Sequence, residues 1–382
     1  MAMIFPEAEY RARLAAIQSG MARAGRDALL LTTEPEIRYI SGFLTRFWES
    51  STRPWFLIVP VRGDPVAVIP GIGQPLMAQG WIADIRCWPS PDYADDGVSL
   101  LASALAEFVP TGGAIGVPSG GETHLRMPLE SWAALRAALP LRSFGDDAGI
   151  LRRLRMVKSA DEIACIEHAC AIAGRAFARV PEIARAGVPL SHVFRRFQML
   201  CLEEGADWVP YLAGAAAPGG YADVISPATD APLRQGDVLM LDTGLVRDGY
   251  FCDFDRNFSI GPASPALREA HAALIAATQA GFAAARPGAR VCDLYHAMAA
   301  VTGGGVESGR LGHGLGMQLT EPPSLIPADD TVLAPGMVLT LEPLISMGQG
   351  RILVHEENIV ITEQCARWLS PVAGPEIMEI AA

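Results

Sequence analysis

The segment 238–260, VLMLDTGLVRDGYFCDFDRNFSI, gathers three carboxylates, Asp242, Asp253 and Asp255, into what reads as one β-hairpin. Its Asp248-Gly249 pair tolerates the positive φ that a two-residue hairpin loop demands. With Arg247 opposite Tyr250, Asp242 falls opposite Asp255 and Gly244 opposite Asp253, and the period of two puts all four on one face. Like charges that close resist ionising together, so the arrangement is costly without a cation or strong donors. A divalent metal is the natural compensation. Further donors appear downstream: His313 in GRLGHGLGMQ, Glu342 in TLEPL and Glu356 in ILVHEENIVITE. Oxygen and imidazole donors suit borderline to hard divalent ions; manganese is taken first, with cobalt, iron and zinc left open. If some carboxylates bridge, the set serves two ions, which can hold a hydroxide between them and polarise a carbonyl oxygen, the chemistry of amide hydrolysis.

These side chains must be carried by elements that the rest of the chain supplies. LRQGDVLMLD at 233–242 matches LAPGMVLTLE at 333–342, and each copy ends in a carboxylate. The pair suggests a domain of two related halves facing each other, against the bland reading of two buried strands sharing a small alphabet. Upstream, Ser159 and Glu162 have the spacing of a capping box, and a helix follows from it. A second helix is expected from a Ser191 cap to Gly205, and a third opens at Ser264-Pro265. The first part of the chain reads as an α/β domain: an opening helix, strands over 27–40 and 55–69 separated by a polar and aromatic loop, and a helix over 128–138. The boundary is placed near 150–158, giving domains 1–152 and 153–382.

The ordered set Asp242, Asp253, His313, Glu342, Glu356, in the contexts DTG, GYFCDFDRNF, GHGLG, EP and HEEN, resembles the pita-bread metallopeptidases: prolidase, aminopeptidase P and methionine aminopeptidase. IRYISGF near residue 40 resembles the N-terminal domain shared by prolidase, aminopeptidase P and creatinase, so the resemblance spans nearly the whole chain. It implies an N-terminal creatinase-like α/β domain and a C-terminal pita-bread catalytic domain with pseudo-twofold symmetry. It also implies that Asp242 binds one metal bidentately, that Asp253 and Glu356 bridge both ions, and that His313 with Glu342 completes the second site. Glu342 then also handles the proton of the attacking water, and the assembly is a homodimer.

The resemblance has gaps on the substrate side. The family's histidine shortly before the hairpin is missing from AAAPGGYADVISPATDAP, where Tyr221, the nearest polar aromatic, is taken as a catalytic candidate. Thr320 in LTEPPS stands where a second histidine is usual, and Val354 where an arginine is usual. Asp255 replaces a common threonine, and either favours a cationic substrate or supports a metal ligand, the second reading being preferred. His355 is read as packed, because neighbours on a strand point to opposite faces. The glycines of GHGLG follow no strand-to-helix signature of a dinucleotide site, and more plausibly let the backbone approach the metals. Arg46 and Trp48, in the aromatic loop FLTRFWESSTRPWF, stand equally as substrate contacts and as a dimer contact.

Composition bounds the remaining classes. The 382 residues carry 30 Lys plus Arg against 42 Asp plus Glu, for a formal charge of -12 and no basic tract, which argues against nucleic acid as a partner. No apolar run reaches the roughly 18 residues of a membrane span, and the N-terminus has no secretory pattern, so the expectation is cytoplasmic with no membrane partner. The 7 cysteines form no C-x-x-C pair and read as free thiols. The expected function is metal-dependent hydrolysis of an amide or peptide bond in a small substrate, most like an Xaa-Pro peptidase. A hydrolase or lyase for a small amide or osmolyte is the alternative, and a binding module that has kept only the fold is a third.

Overall fold

The computed structural model describes residues 3–50, 53–303 and 309–381. It divides into two compact units, Met1–Arg155 and Met156–Ala382.

The first unit is built on a six-stranded sheet in the order Asp84–Trp88, Val66–Pro70, Phe56–Pro60, Ala28–Leu31, Ala114–Val117, Ser143–Asp146. Phe56–Pro60 runs antiparallel to both neighbours, while the outer pairings are parallel. Two strand expectations are corrected. Only Ala28–Leu31 of 27–40 is extended, because Thr33 takes an N-cap conformation and Pro35 with Glu34 and Glu36 starts a helix, Glu34–Ser41, that ends at Gly42 with φ 71°. The 55–69 run is a hairpin of two short strands turning at Gly63, φ 91°. The aromatic loop contains a 3-10 turn, Arg46–Glu49, whose Thr45 cap accepts from the Phe47 N–H. Trp48 packs against Phe43 and Trp55 at 6.3 and 5.5 Å between ring centroids, beneath the Arg126 guanidinium, so within this unit it has the neighbours of a core side chain. Arg46 is exposed and 3.9 Å from Glu49. Ser51 and Thr52 of that segment lie outside the described residues.

The second unit contains two five-stranded sheets. One orders Met378–Ile380, Phe254–Ile260, Asp237–Arg247 and Trp208–Pro218, with Tyr250–Phe251 paired to the third; the other orders Glu321–Ser324, His313–Gly314, Val338–Leu341, Glu357–Ile361 and Ala366–Trp368. The internal repeat is visible in the backbone. Gly187 N–H reaches Leu233 O at 2.8 Å, and Gly288 N–H reaches Leu333 O at 2.9 Å; Gly236 N–H reaches Ile260 O, and Gly336 N–H reaches Ile361 O, at 2.7 and 2.8 Å. All four glycines have φ between 84° and 90°, a left-handed conformation that side chains rarely adopt. Each half therefore has the same order: a helix pair (Ala160–Ala178 with Leu190–Glu203, then Pro265–Ala284 with Val291–Thr302), a glycine turn, and a strand delivering an acid.

The Ser159–Glu162 capping box and the Ser264 cap with Pro265 at the helix start are formed. Ser191 is not a cap: the helix Leu190–Glu203 begins one residue earlier after Pro189, and the Ser191 hydroxyl instead donates to Asp230 at 2.5 Å. Among the described residues no helix is long and apolar enough to cross a membrane.

Candidate metal centre

The hairpin sets the first carboxylates. Asp248 and Gly249 have φ of 52° and 76°, the double positive φ of a tight type I′ turn, and the ladder pairs Arg247 with Tyr250 and Asp242 with Asp255. The same register runs on through Cys252, whose N–H donates to Leu245 O at 3.1 Å, and keeps Gly244 opposite Asp253 as expected, but the regular ladder is interrupted at Asp253. The cause is Asn358, whose side chain accepts from the Asp253 N–H at 3.0 Å and donates to the Asp253 carbonyl. Asp253 is thus held from the opposite sheet.

The second sheet delivers the remaining donors. His313 lies on a two-residue strand whose N–H donates to the Thr340 hydroxyl at 3.0 Å. Glu342 follows Val338–Leu341 directly, its N–H bonded to Leu311 O at 3.0 Å and its carboxylate taking a short hydrogen bond from Thr340. Glu356 precedes the strand Glu357–Ile361, and its N–H donates to Asp255 Oδ1 at 2.9 Å. The glycines flanking His313 serve close packing between strands. A Cβ on Gly312 would lie 2.3 Å from Thr340 O, and one on Gly314 2.3 Å from Pro322 O.

The donors converge. His313 Nε2 is 3.4 Å from Asp253 Oδ2 and 3.0 Å from Glu342 Oε1. One ligand atom each of Asp253, His313 and Glu356 lies within 4.8 Å of the others, and all three residues are buried. His313 Nδ1 is 2.8 Å from the Gly314 carbonyl, which can only accept. Nδ1 therefore carries a proton, and Nε2 is the nitrogen that faces the carboxylates. Asp242 Oδ1, Asp253 Oδ1 and Glu356 Oε1 are buried oxygens without a hydrogen-bond partner. Burial and neighbouring carboxylates hold Asp242, Asp253 and Glu356 above the usual carboxylate range. For Glu342 burial is again the largest influence and acts upward, but the charge and hydrogen bond of His313 together with hydrogen bonds from Thr340 and Glu356 bring the group down to about 2. Buried oxygens left without donors and crowded around one imidazole nitrogen are costly until a cation lies between them, so the donor set fits divalent metal.

The other expected residues separate. Asp255 is 1% exposed; its Oδ1 accepts from the Glu356 backbone and lies 3.4 Å from His355 Nδ1, which places it in support of a ligand segment. His355 is buried between Asp255 and Glu357, which is 3.3 Å from its Nε2. Tyr221 is a correction: it does not line the cleft over these acids, and its hydroxyl accepts from the Val354 N–H at 2.8 Å and donates to Asn257 at 3.0 Å. Thr320 is half-buried and accepts from Arg310 Nη2 at 3.3 Å. Three residues escaped the sequence reading. Tyr211 donates to Asp242 Oδ2 at 3.0 Å from the neighbouring strand, and nothing in its context signals that. Asn358 had a signal, since it lies two residues beyond Glu356. Arg310 lines the cleft with Asp242, Asp255, Glu342 and Glu356.

Comparison with known proteins agrees with this geometry. Residues 164–363 match the family model for metallopeptidase family M24, and residues 13–157 that for the creatinase/prolidase N-terminal domain. A Mycobacterium tuberculosis protein named "Probable dipeptidase PepE" is 30% identical over 363 residues, covering 93% of this chain and 92% of its own. The crystal structure of dipeptidase PepE from Mycobacterium ulcerans superposes with a TM-score of 0.84 at 28% identity, covering 99% of this chain and all of that one. Recombinant prolidase from Thermococcus sibiricus shares the fold, with a TM-score of 0.86 at 22% identity over 97% of this chain and 99% of that one. With an N-terminal creatinase/prolidase unit ahead of its acid-lined catalytic unit, the chain belongs to metallopeptidase family M24 and is a metallopeptidase-type hydrolase.

Proposed function

We propose that this chain cleaves an amide or peptide bond in a small substrate, with Xaa-Pro-type dipeptides as the leading class. In this reading Asp242, Asp253, His313, Glu342 and Glu356 hold two divalent ions, manganese first among them. The observation that carries it is His313 Nε2 set against the carboxylates of Asp253 and Glu342, beside the orphaned oxygens of Asp253, Glu356 and Asp242. Divalent ions bound there supply Lewis-acid polarisation of a carbonyl and water acidified to near neutrality. The chain's own groups do the rest. Tyr211 and the hairpin register orient Asp242, Asn358 fixes the Asp253 backbone, and Asp255 fixes that of Glu356. Glu342 borders the cleft as an ionised carboxylate held by Thr340 and His313, in position to take a proton from attacking water and return it to the leaving amine.

The test is elemental analysis of purified protein followed by a screen of Xaa-Pro and other dipeptides, with and without added Mn²⁺. Two equivalents of metal and metal-dependent release of free amino acids are expected. Protein that binds no divalent ion, or is equally active after chelation, overturns the reading. The amide or osmolyte reading keeps one supporting observation, the apolar Val354 in the cleft wall, and the same screen decides it by including small amides. The homodimer and a cytoplasmic location complete the proposal; sedimentation of the purified chain reads the first.

A further inference from the structure

Asp255 brings a carboxylate that the five expected donors do not account for. It stands where a threonine is common in the family, and it lines the same cleft as Asp242, Glu342 and Glu356. The residue is 1% exposed, and its two oxygens have different surroundings. Oδ1 accepts from the Glu356 N–H at 2.9 Å and lies 3.4 Å from His355 Nδ1. Among the described residues Oδ2 has no hydrogen-bond partner.

Buried carboxylate oxygens without a partner are rare in folded proteins. Among the described residues they belong to Asp237, Asp242, Asp253, Asp255 and Glu356. Three of these are expected metal ligands. Asp237 lies away from the cleft lining, where its other oxygen accepts the Arg234 N–H at 2.8 Å. Asp255 is therefore the orphan in the cleft that the five-donor set leaves unused.

The strand ladder says what it faces. Asp255 sits directly opposite Asp242, which holds the two Cβ atoms about 4.5–5.5 Å apart on one face of the sheet. Oδ2 of Asp242 accepts from the Tyr211 hydroxyl at 3.0 Å, so only its Oδ1 is left without a partner. The tight cluster of Asp253, His313 and Glu356 includes neither member of this pair. An ion on the Asp242 side thus lacks a donor that Asp255 Oδ2 can supply. Charge agrees with the count. Two divalent ions carry four positive charges against the carboxylates of Asp242, Asp253, Asp255, Glu342 and Glu356, and the Arg310 guanidinium in the cleft wall balances the fifth.

We propose that Asp255 is a sixth protein ligand of the metal centre, its Oδ2 binding the ion on the Asp242 side while its Oδ1 holds the Glu356 backbone. This rests on the two-ion reading above and deepens it. One site is built from carboxylates alone, a donor set that suits Mn²⁺, while the other keeps the imidazole of His313.

The probe is Mn²⁺ alone, titrated calorimetrically into chelator-treated wild type, Asp255→Asn and Asp255→Thr. Water-proton relaxation is then measured on each protein at saturating Mn²⁺. Asp255→Asn keeps an acceptor for the Glu356 N–H and exchanges Oδ2 for an amide; Asp255→Thr covers the case in which the first variant does not fold. One of two binding events is expected to weaken by on the order of a hundredfold, and the other by much less. Loss of a supporting partner alone costs roughly 10–100-fold in metal affinity, so the water count decides. A lost protein ligand is replaced by exchangeable water and the relaxation rate per bound Mn²⁺ rises, whereas a lost support leaves that rate unchanged. Variants with wild-type affinity, or with weakened affinity and no rise in relaxation, overturn the proposal. The same samples are assayed for release of amino acids from a dipeptide. Wild type that binds Mn²⁺ through Asp255 yet cleaves nothing sinks the hydrolytic reading and leaves the ligand assignment standing. Wild type that cleaves, with Asp255→Asn binding both ions unchanged, does the reverse, and wild type that binds no Mn²⁺ overturns both.

Discussion

At the scale of single residues, the centre separates side chains that face each other from those that hold them. Asp253 is the test of the first kind, with one oxygen orphaned and the other 3.4 Å from His313 Nε2. Asp253→Asn keeps the shape and removes the charge, so bound metal measured by elemental analysis is expected to fall, and kcat/KM to fall on the order of a hundredfold or more. Tyr221 tests the second kind. Its hydroxyl satisfies the N–H of half-buried Val354, so Tyr221→Phe is expected to cost about 1–3 kcal/mol in denaturant unfolding while kcat changes by less than about threefold. A large drop in kcat with stability unchanged would return Tyr221 to the reaction. Both roles are chemically open to a tyrosine in the sequence; only the position of its hydroxyl chooses between them.

Elements explain why these residues meet. Two strands from one sheet and three from the other carry the donors, and short contacts at glycine set the spacing. Gly312 has φ 143° and no room for a Cβ against Thr340 O, which belongs to the strand leading to Glu342. Gly312→Ala is therefore expected to push the His313 and Glu342 segments apart. Thermal unfolding should show a loss of at least about 2 kcal/mol, and metal content should drop with it. The 100-residue repeat was legible because its glycines and terminal acids recur, and the paired hydrogen bonds at Gly187 and Gly288 show the reason. The break at Asp253 was not legible, since a continuous hairpin satisfies the same pattern and Asn358 comes from a strand more than 100 residues away.

For the whole molecule, the acid cluster makes stability depend on pH and metal together. Asp253, Glu356 and Asp242 have folded-state proton affinities raised above their unfolded values by burial and mutual repulsion. The folded state then binds more protons than the unfolded chain, so metal-free protein loses stability as pH rises from about 4 through the raised values, about 8 for Asp242. Glu342 and Glu357, both lowered to about 2, work in the opposite sense, but their contribution is complete above about pH 5. Chelated protein should accordingly show a falling Tm between pH 5 and 8, and added Mn²⁺ should raise Tm and flatten that slope. A slope that is the same with and without metal would mean that these acids do not share a cation. The buried Lys158–Glu321 pair, 3.2 Å apart and 2% and 3% exposed, gives a separate check on the catalytic unit. Lys158→Met removes the ammonium from Glu321, which keeps the Gln318 N–H at 3.1 Å, and is expected to cost about 3 kcal/mol, read as a shift in the denaturant midpoint.

The hairpin register and the two-halved catalytic unit were determined by sequence alone, because each depends on local signals: a turn that demands positive φ, a period of two, and a repeated glycine-strand-acid unit; His313 and Glu356 became candidate donors by residue type and by the family resemblance of their contexts. Local signals also misled, as at 27–40, where Pro35 and its flanking acids turned an apolar run into a helix after four residues. The tertiary structure decided what spacing along the chain does not encode: which carboxylate oxygens are left without partners, which nitrogen of His313 faces them, and that Arg310 enters the cleft while Tyr221 does not. Those are consequences of packing two sheets against one another, where a hydrogen bond from the far sheet or a missing Cβ moves a side chain by the few ångströms that separate a ligand from a support.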